Sequence, residues 1–431
     1  MSAQGRLMSE SQLLAKQANP QVFAVPDAQD IMHWTAVVVG PPNTPYSRGM
    51  FHFDLRFPND YPNLPPTVVL RTTSSSTVRF NPNLYNNGKV CLSILGTWRA
   101  EAGEQWSSVQ NVHSVLMSIQ SLMHDKPYHN EPNFEKDDGS GDVQRYNEKI
   151  AHETLRVAVV EVMEDTIEGK STSNGAEPCF DDLRKQLFLM QYACYLATLG
   201  EWEQLEHARD GRPFRMMPFE CLANGMKGQF AWRALRGRLE AVHGHVLEEI
   251  SGWRQKGKEQ AALVRAASAI GLAPAVSSLQ EQLAHLKLEP PEGVSIGADG
   301  DNALTVELTV FGPEGTSWEE GCFAVEIVYP PDYPDSSPRV RFTSGMFHPN
   351  ISADGFPYIS ALVLWHTISP RQRMLQALIS ELRRLLVTCP DPEPITHLNP
   401  EAARLCFSAA DADRKEYQRR VRRCAQRSNE D

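Results

Sequence analysis

Apolar and polar positions along the first 170 residues fall into two rhythms. Residues 6–18 space their leucines and Met8 as one face of a short helix. Residues 33–39 (HWTAVVV) are β-branched and read as a strand, stopped by Gly40-Pro41-Pro42-Asn43. Residues 50–57 (MFHFDLRF) alternate apolar with polar, the pattern of a half-buried strand. A proline-rich turn, FPNDYPNLPP, leads to a further strand at 67–71. Residues 79–98 have no regular period and predict an extended loop with Gly88 at a turn. At 107–123, Val112, Val115, Leu116, Ile119, Leu122 and Met123 recur at helical spacing, with Ser107 or Ser108 as the cap. A charged loop at 135–142 precedes further helical pattern at 144–168. A helix, a meander of three strands, then helices predicts an α+β fold with the helices set to one side of an antiparallel sheet.

Residues 169–178 read as a linker, and helical patterns dominate 179–285. In that stretch Trp232, Leu235, Leu239, Val242, Val246 and Ile250 step by three or four, a packing stripe rather than a ligand site. A second linker is expected at 287–301. Then the opening pattern returns: strands at 303–311, 322–329 and 339–343, the turn PPDYPDSSP, an irregular loop and a helix at 371–387. The two ends of the chain are therefore expected to be tandem copies of one fold. The expected layout is 5–168, 179–285 and 300–425.

Composition narrows the class. Of 431 residues 41% are hydrophobic and 22% charged, as in a globular protein. A net charge of −11 argues against a nucleic-acid partner. No run approaches the roughly 18 apolar residues of a membrane span. Eight dispersed cysteines form neither a Cys-x-x-Cys metal site nor a disulfide framework, which predicts a reducing, cytoplasmic or nuclear setting. The last helix is rich in arginine (Arg414 to Arg427); a solvated basic face is preferred there over a docking surface.

Three motifs, GPPNTPYSRGMFHFDLRFPNDYPNLPPTV at 40–68, FNPNLYNNGKVCLSIL at 80–95 and a helix ending in SIQSLM, resemble the ubiquitin-conjugating (UBC) family. They are similar above all to the large subgroup that includes a giant inhibitor-of-apoptosis protein with a C-terminal conjugating domain. The resemblance implies a cysteine that accepts ubiquitin from an activating enzyme as a thioester and passes it to a substrate lysine. It implies no cofactor, with neither metal nor ATP held by the domain itself. Cys91 takes the nucleophile's place. Asn83, eight residues earlier, matches the asparagine of a His-Pro-Asn motif, donating to an oxyanion or bracing its loop. Glu131 aligns with an acidic position that orients or desolvates the attacking lysine. Two departures stand out. Asn81 replaces the motif's histidine, and Asn63 replaces a phenylalanine that docks ligases, which fits a hybrid enzyme needing no separate ligase.

The second copy keeps His348-Pro349-Asn350, but Tyr358 stands at the nucleophile's place, and Cys322 and Cys389 fall elsewhere in the pattern. It resembles an inactive variant that binds ubiquitin or a partner. Ubiquitin, an activating enzyme and protein substrates are the implied partners, with a ligase or a second copy of the chain as further ones. The stripe from Trp232 to Ile250 would space the copies or make the dimer contact. The rival readings are a non-catalytic scaffold and an enzyme for another ubiquitin-like modifier.

Overall fold

A computed structural model of the chain describes residues 2–16, 19–98, 103–170, 178–221, 225–266, 271–297 and 301–430. Most of the expected first linker lies outside these residues. The chain divides into two compact units, one of residues 1–181 and 195–242, the other of 182–194 and 243–431. No helix among the described residues is long and apolar enough to cross a membrane.

The first unit opens with helix α1 (Ala3–Lys16). Its buried positions are Ala3, Leu7 and Glu10, one stripe of the helix. Met8 is exposed, which corrects the expectation that it shares the leucines' face: it lies 100° around the helix from Leu7. Glu10 is buried because it is fully matched. Its carboxylate accepts from the Tyr61 hydroxyl at 2.8 Å and the Val112 amide at 2.9 Å and pairs with Arg6 at 2.5 Å. That carboxylate sits where a helix N-terminus favours negative charge.

Strands β1 (Val22–Pro26), β2 (His33–Val39), β3 (Met50–Arg56) and β4 (Thr67–Leu70) form an antiparallel sheet in sequence order. Strand β1 was not expected; five residues ending in proline carry too short a signal. Strand β3 is buried throughout Met50–Leu55, not half-buried as its alternation suggests. Asp54 pairs with Arg71 at 2.5 Å through one carboxylate oxygen, and the His52 backbone amide donates to Thr72 at 2.8 Å. Against the sheet lies α2 (Val112–Ser121), whose Val112, Val115, Leu116 and Ile119 share a core with Trp34, Phe51 and Phe53. Each such side chain contributes about 1.5–3 kcal/mol on burial. The cap of α2 is Asn111, not Ser107 or Ser108; Asn111 and Ser114 exchange side-chain and backbone bonds at 2.9 Å.

Helix α3 (Asp142–Leu155) continues through a π-turn (Arg156–Glu161) into α4 (Val162–Ile167). The wider turn lets the successive residues Val157 to Val160 all be buried. Next come α5 (Pro178–Glu203) and α6 (Trp232–Arg265), each contributing residues to both units. The stretch between them is not helical as expected. Residues 209–221 and 225–231 are irregular, and Met217 and Met226 enter the core of the first unit. The stripe from Trp232 to Ile250 is buried at every position within the single chain, so it offers no free face for a dimer.

The second unit repeats the plan. Helix α7 (Pro274–Leu288) and strand β5 (Val294–Ile296) start it, which moves its beginning well before residue 300 and places β5 inside the expected second linker. Strands β6 (Thr305–Phe311), β7 (Cys322–Val328) and β8 (Arg339–Phe342) complete a second antiparallel sheet. After the short α8 (Ser360–Val363), α9 (Leu375–Val387) supplies Leu378, Ile379, Leu382 and Leu386 to a core shared with Ala275, Val276 and Leu279 of α7. Helices α10 (Pro400–Cys406) and α11 (Asp411–Arg427) close it. Helix α11 buries Val421 and Ala425 and exposes Lys415, Arg419, Arg422 and Arg423, a solvated basic face. The α5 residue Asp182 is bound by the Ser337 amide at 2.9 Å and Arg339 at 2.8 Å, which hold its carboxyl well below the usual range.

Candidate active site

The loop after β4 is anchored before it reaches any chemistry. Phe80 packs edge-on against Phe51 at 5.0 Å, and its carbonyl accepts from the buried Tyr46 hydroxyl at 2.6 Å. Asn81 is fully buried; its amide donates to that hydroxyl at 2.9 Å and to the Leu122 carbonyl at 2.8 Å. Its oxygen accepts the Asn83 amide hydrogen at 3.0 Å. In the second unit His348 Nδ1 accepts the Asn350 amide hydrogen, also at 3.0 Å. Asn81 thus does the work of the histidine it replaces, which is to hold the backbone two residues on.

A turn at Gly88 brings the chain back. Its φ is +87°, and a Cβ there would lie 2.6 Å from the Leu70 carbonyl oxygen, so only glycine fits. Cys91 then pairs with Asn83 in both directions: its amide donates to the Asn83 carbonyl at 2.9 Å, and the Asn83 side chain donates to the Cys91 carbonyl at 2.9 Å. Of the two roles expected for Asn83, the resting structure displays the brace. Burial pushes the Cys91 thiol up, while Lys89 and Arg79 pull it down.

Glu131 follows the short turn Pro127–Asn130 on the facing wall. It is half-buried, which raises its carboxyl, and Arg79 opposes the rise from 3.5 Å. Arg79 also donates to the Pro82 carbonyl at 2.7 Å. Cys91 and Asn83 are therefore in direct contact; the Glu131 side chain meets Arg79, and its neighbour Asn130 donates to the Asn81 oxygen at 3.2 Å. Asn63 is exposed on its turn beside the exposed Leu64.

Sequence reasoning missed three contributors. Arg79 read as part of an irregular loop; the one clue was a basic residue two places before Asn81. Phe219 packs on Tyr128 at 5.2 Å and Phe134 at 5.4 Å, on either side of Glu131 in sequence. Next to it Glu220 forms an ion pair with Lys149 at 2.7 Å, both side chains 1% exposed. The segment between α5 and α6 is thereby locked to the wall that carries Glu131, and nothing in its pattern announced that.

The second unit reproduces the frame without the thiol. The Tyr358 amide donates to the Asn350 carbonyl at 2.8 Å, the bond Cys91 makes to Asn83, so Tyr358 occupies the place of Cys91. Asn350 turns its amide elsewhere, to the Thr396 hydroxyl at 2.8 Å, and accepts from the Asp391 amide at 2.9 Å. A cleft of about 300 Å³ beside Tyr358 is lined by His348, Asn350, Arg384, Cys389 and Asp391. Cys389, although out of register with the motif, borders this cleft. Cys322 opens β7.

The site is a four-stranded meander with one helix against it, carrying on a loop a cysteine clamped to an asparagine eight residues earlier. The sequence model of the ubiquitin-conjugating enzyme family matches residues 6–151 and again residues 278–425, and the chain belongs to that family of transferases. Among its relatives is the ubiquitin-conjugating enzyme E2 Z of Xenopus tropicalis, 42% identical over 247 residues, which cover 57% of this chain and 72% of the relative. The Homo sapiens E2 Z is also 42% identical, over 57% of this chain and 64% of its own length. The human dual E2 ubiquitin-conjugating enzyme/E3 ubiquitin-protein ligase BIRC6 is 35% identical over 48% of this chain and 4% of that protein.

Proposed function

We propose that the first unit carries ubiquitin as a thioester on Cys91 and transfers it to substrate lysines. The observation that supports this most strongly is the two-way clamp between Asn83 and Cys91, which fixes the thiol-bearing backbone. In the charging step the Cys91 thiolate attacks the carbonyl carbon of a ubiquitin thioester on an activating enzyme; the C–S bond to that enzyme breaks and its thiolate leaves. In discharge a lysine amine attacks the same carbon. A C–N bond forms, the C–S bond breaks, the sulfur keeps the electron pair, and the ammonium proton passes to solvent. Asn83 holds the loop during both steps, and Glu131 shapes the lysine's approach.

The second unit, on this reading, accepts no thioester, because a tyrosine is mostly un-ionised near neutral pH. It serves as a docking surface tethered to the working copy. The exposed Asn63 in place of an apolar anchor, together with the similarity to a dual conjugating enzyme and ligase, favours substrate selection by the chain itself. The proposed setting is cytoplasmic or nuclear, on the dispersed cysteines alone.

The test is a charging reaction with activating enzyme, ATP and ubiquitin, read with and without reductant and repeated with other ubiquitin-like modifiers. A reductant-sensitive adduct on the wild type and none on Cys91→Ala is expected. An adduct with another modifier but none with ubiquitin would overturn the choice of ubiquitin. No adduct with any modifier would favour the scaffold reading.

A further inference from the structure

Arg79 is 3% exposed, and the structure leaves much of its guanidinium unmatched. Nη2 donates to the Pro82 carbonyl at 2.7 Å and reaches Glu131 only at 3.5 Å. The guanidinium carbon lies 4.4 Å from the centre of the Tyr85 ring. Nε and Nη1 are buried without a hydrogen-bond partner. An unmatched buried donor costs about 1–3 kcal/mol, and more on a charged group. Such a group in a native fold calls for a reason, and a role in catalysis is one.

The geometry shows what that use is. Pro82 belongs to the loop that runs to Cys91, and Glu131 belongs to the facing wall. One side chain therefore spans both walls of the site, and its contact with Glu131 is slack.

The second unit supplies an independent comparison. Two residues before its His348, where the first unit has Arg79, stands Met346. There the facing wall is reached by Asn350 itself, through Thr396 and Asp391. In the first unit the matching asparagine is left to Cys91; Asn130 reaches the loop at Asn81, at 3.2 Å, and Arg79 adds a second span. Both copies have uncharged links between loop and wall; the copy with the thiol has the charged one as well.

We propose that Arg79 is a positioning residue for discharge: it clamps Glu131 to the Cys91 loop, closes on Glu131 when the thiol is acylated, and holds a positive charge near the sulfur as the C–S bond breaks. This rests on the reading of Cys91 as the thioester site. Arg79 gives up no proton; its contribution is electrostatic and geometric. The cation acts unequally on the two steps. In charging, it raises the thiolate fraction but lowers that thiolate's nucleophilicity, and the two effects partly cancel. In discharge the sulfur becomes the leaving group and gains charge, so the cation helps without an offset.

The experiment is a pulse–chase on the full chain. Ubiquitin is loaded by activating enzyme and ATP, loading is quenched, and discharge to free lysine is followed for wild type, Arg79→Lys, Arg79→Met, Glu131→Gln and Arg79→Met/Glu131→Gln. Charging should stay within about threefold of wild type, because the effects on it offset. Discharge should fall about tenfold or more in Arg79→Met, recover partly in Arg79→Lys, and be no slower in the double variant than in the slower single one, as for residues acting as a unit. The proposal is overturned if Arg79→Met discharges at the wild-type rate, if the two losses multiply, or if charging and discharge fall in step with the melting temperature. Should the wild type form no reducible adduct at Cys91, the reading beneath the proposal fails instead, and the two failures are distinct.

Discussion

Replacing His348 with asparagine removes a pH dependence built into the second unit at a position where the first unit has none. His348 is fully buried, and its Nδ1 accepts from the Asn350 amide. Burial pulls the imidazole from 6.5 down to about 4. In the unfolded chain the ring protonates near its ordinary value, while in the fold it stays neutral. Stability is therefore complete above about pH 6.5 and is lost as the pH falls from there to about 4. At about 1.4 kcal/mol per pH unit that loss reaches about 3 kcal/mol. Asn81 makes the equivalent bond in the first unit with a group that does not titrate. At pH 7.5 His348→Asn loses the ring contact with Trp318 at 5.8 Å. The smaller side chain then costs about 1–2 kcal/mol. By pH 5 the wild type has lost about 2 kcal/mol that the variant keeps, so the two converge. Hydrogen exchange of the peptide spanning 348–358, followed in the full chain from pH 7.5 to 5, measures the difference locally. A difference between wild type and variant that stays constant over this range refutes the assignment of a neutral, buried imidazole.

Two further predictions concern the frame of the site. Glu220→Gln strands the Lys149 charge in the core and should destabilise the first unit by about 3–5 kcal/mol, whereas Lys149→Met/Glu220→Leu should recover most of the loss, as read from urea midpoints. If the single and double variants are equally unstable, the pair is not what anchors the segment between α5 and α6. Tyr358→Cys should not turn the second unit into a working carrier, because Asn350 is already bound to Thr396 and Asp391 and Met346 stands at the position of Arg79. In a Cys91→Ala background it should give no ubiquitin adduct, and one that forms and discharges to lysine would show that the tyrosine alone silences this copy.

The parts of the fold legible in the sequence are those whose signal is repeated along the chain. The stripe from Val112 to Ile119 and the strands on either side of each proline-rich turn recur often enough to fix their elements. The return of that order after residue 300 revealed the tandem plan. Strands β1 and β5 escaped because three to five residues cannot establish a period. Helix α7 was legible as a helix but not as part of the second unit, because the sheet it covers lies later in the chain. Met8 was misplaced because neighbours on a helix point to different sides, and the full burial of β3 escaped because residues beyond the strand, Arg71 and Thr72, cover Asp54 and His52. At the site, Cys91 and Asn83 stood out through the resemblance of FNPNLYNNGKVCLSIL to the family's motif. Arg79, Phe219 and Glu220 act through contacts across the fold, and an arginine or a glutamate in an irregular stretch reads as a solvated charge until its burial is known.

The most direct test of the central claim is intact-mass spectrometry of the full chain after incubation with activating enzyme, ATP and ubiquitin. A single ubiquitin adduct is expected on the wild type, lost on adding reductant, absent from Cys91→Ala and unaffected by Cys389→Ala. An adduct that survives in Cys91→Ala, or one that vanishes with Cys389→Ala, would contradict it.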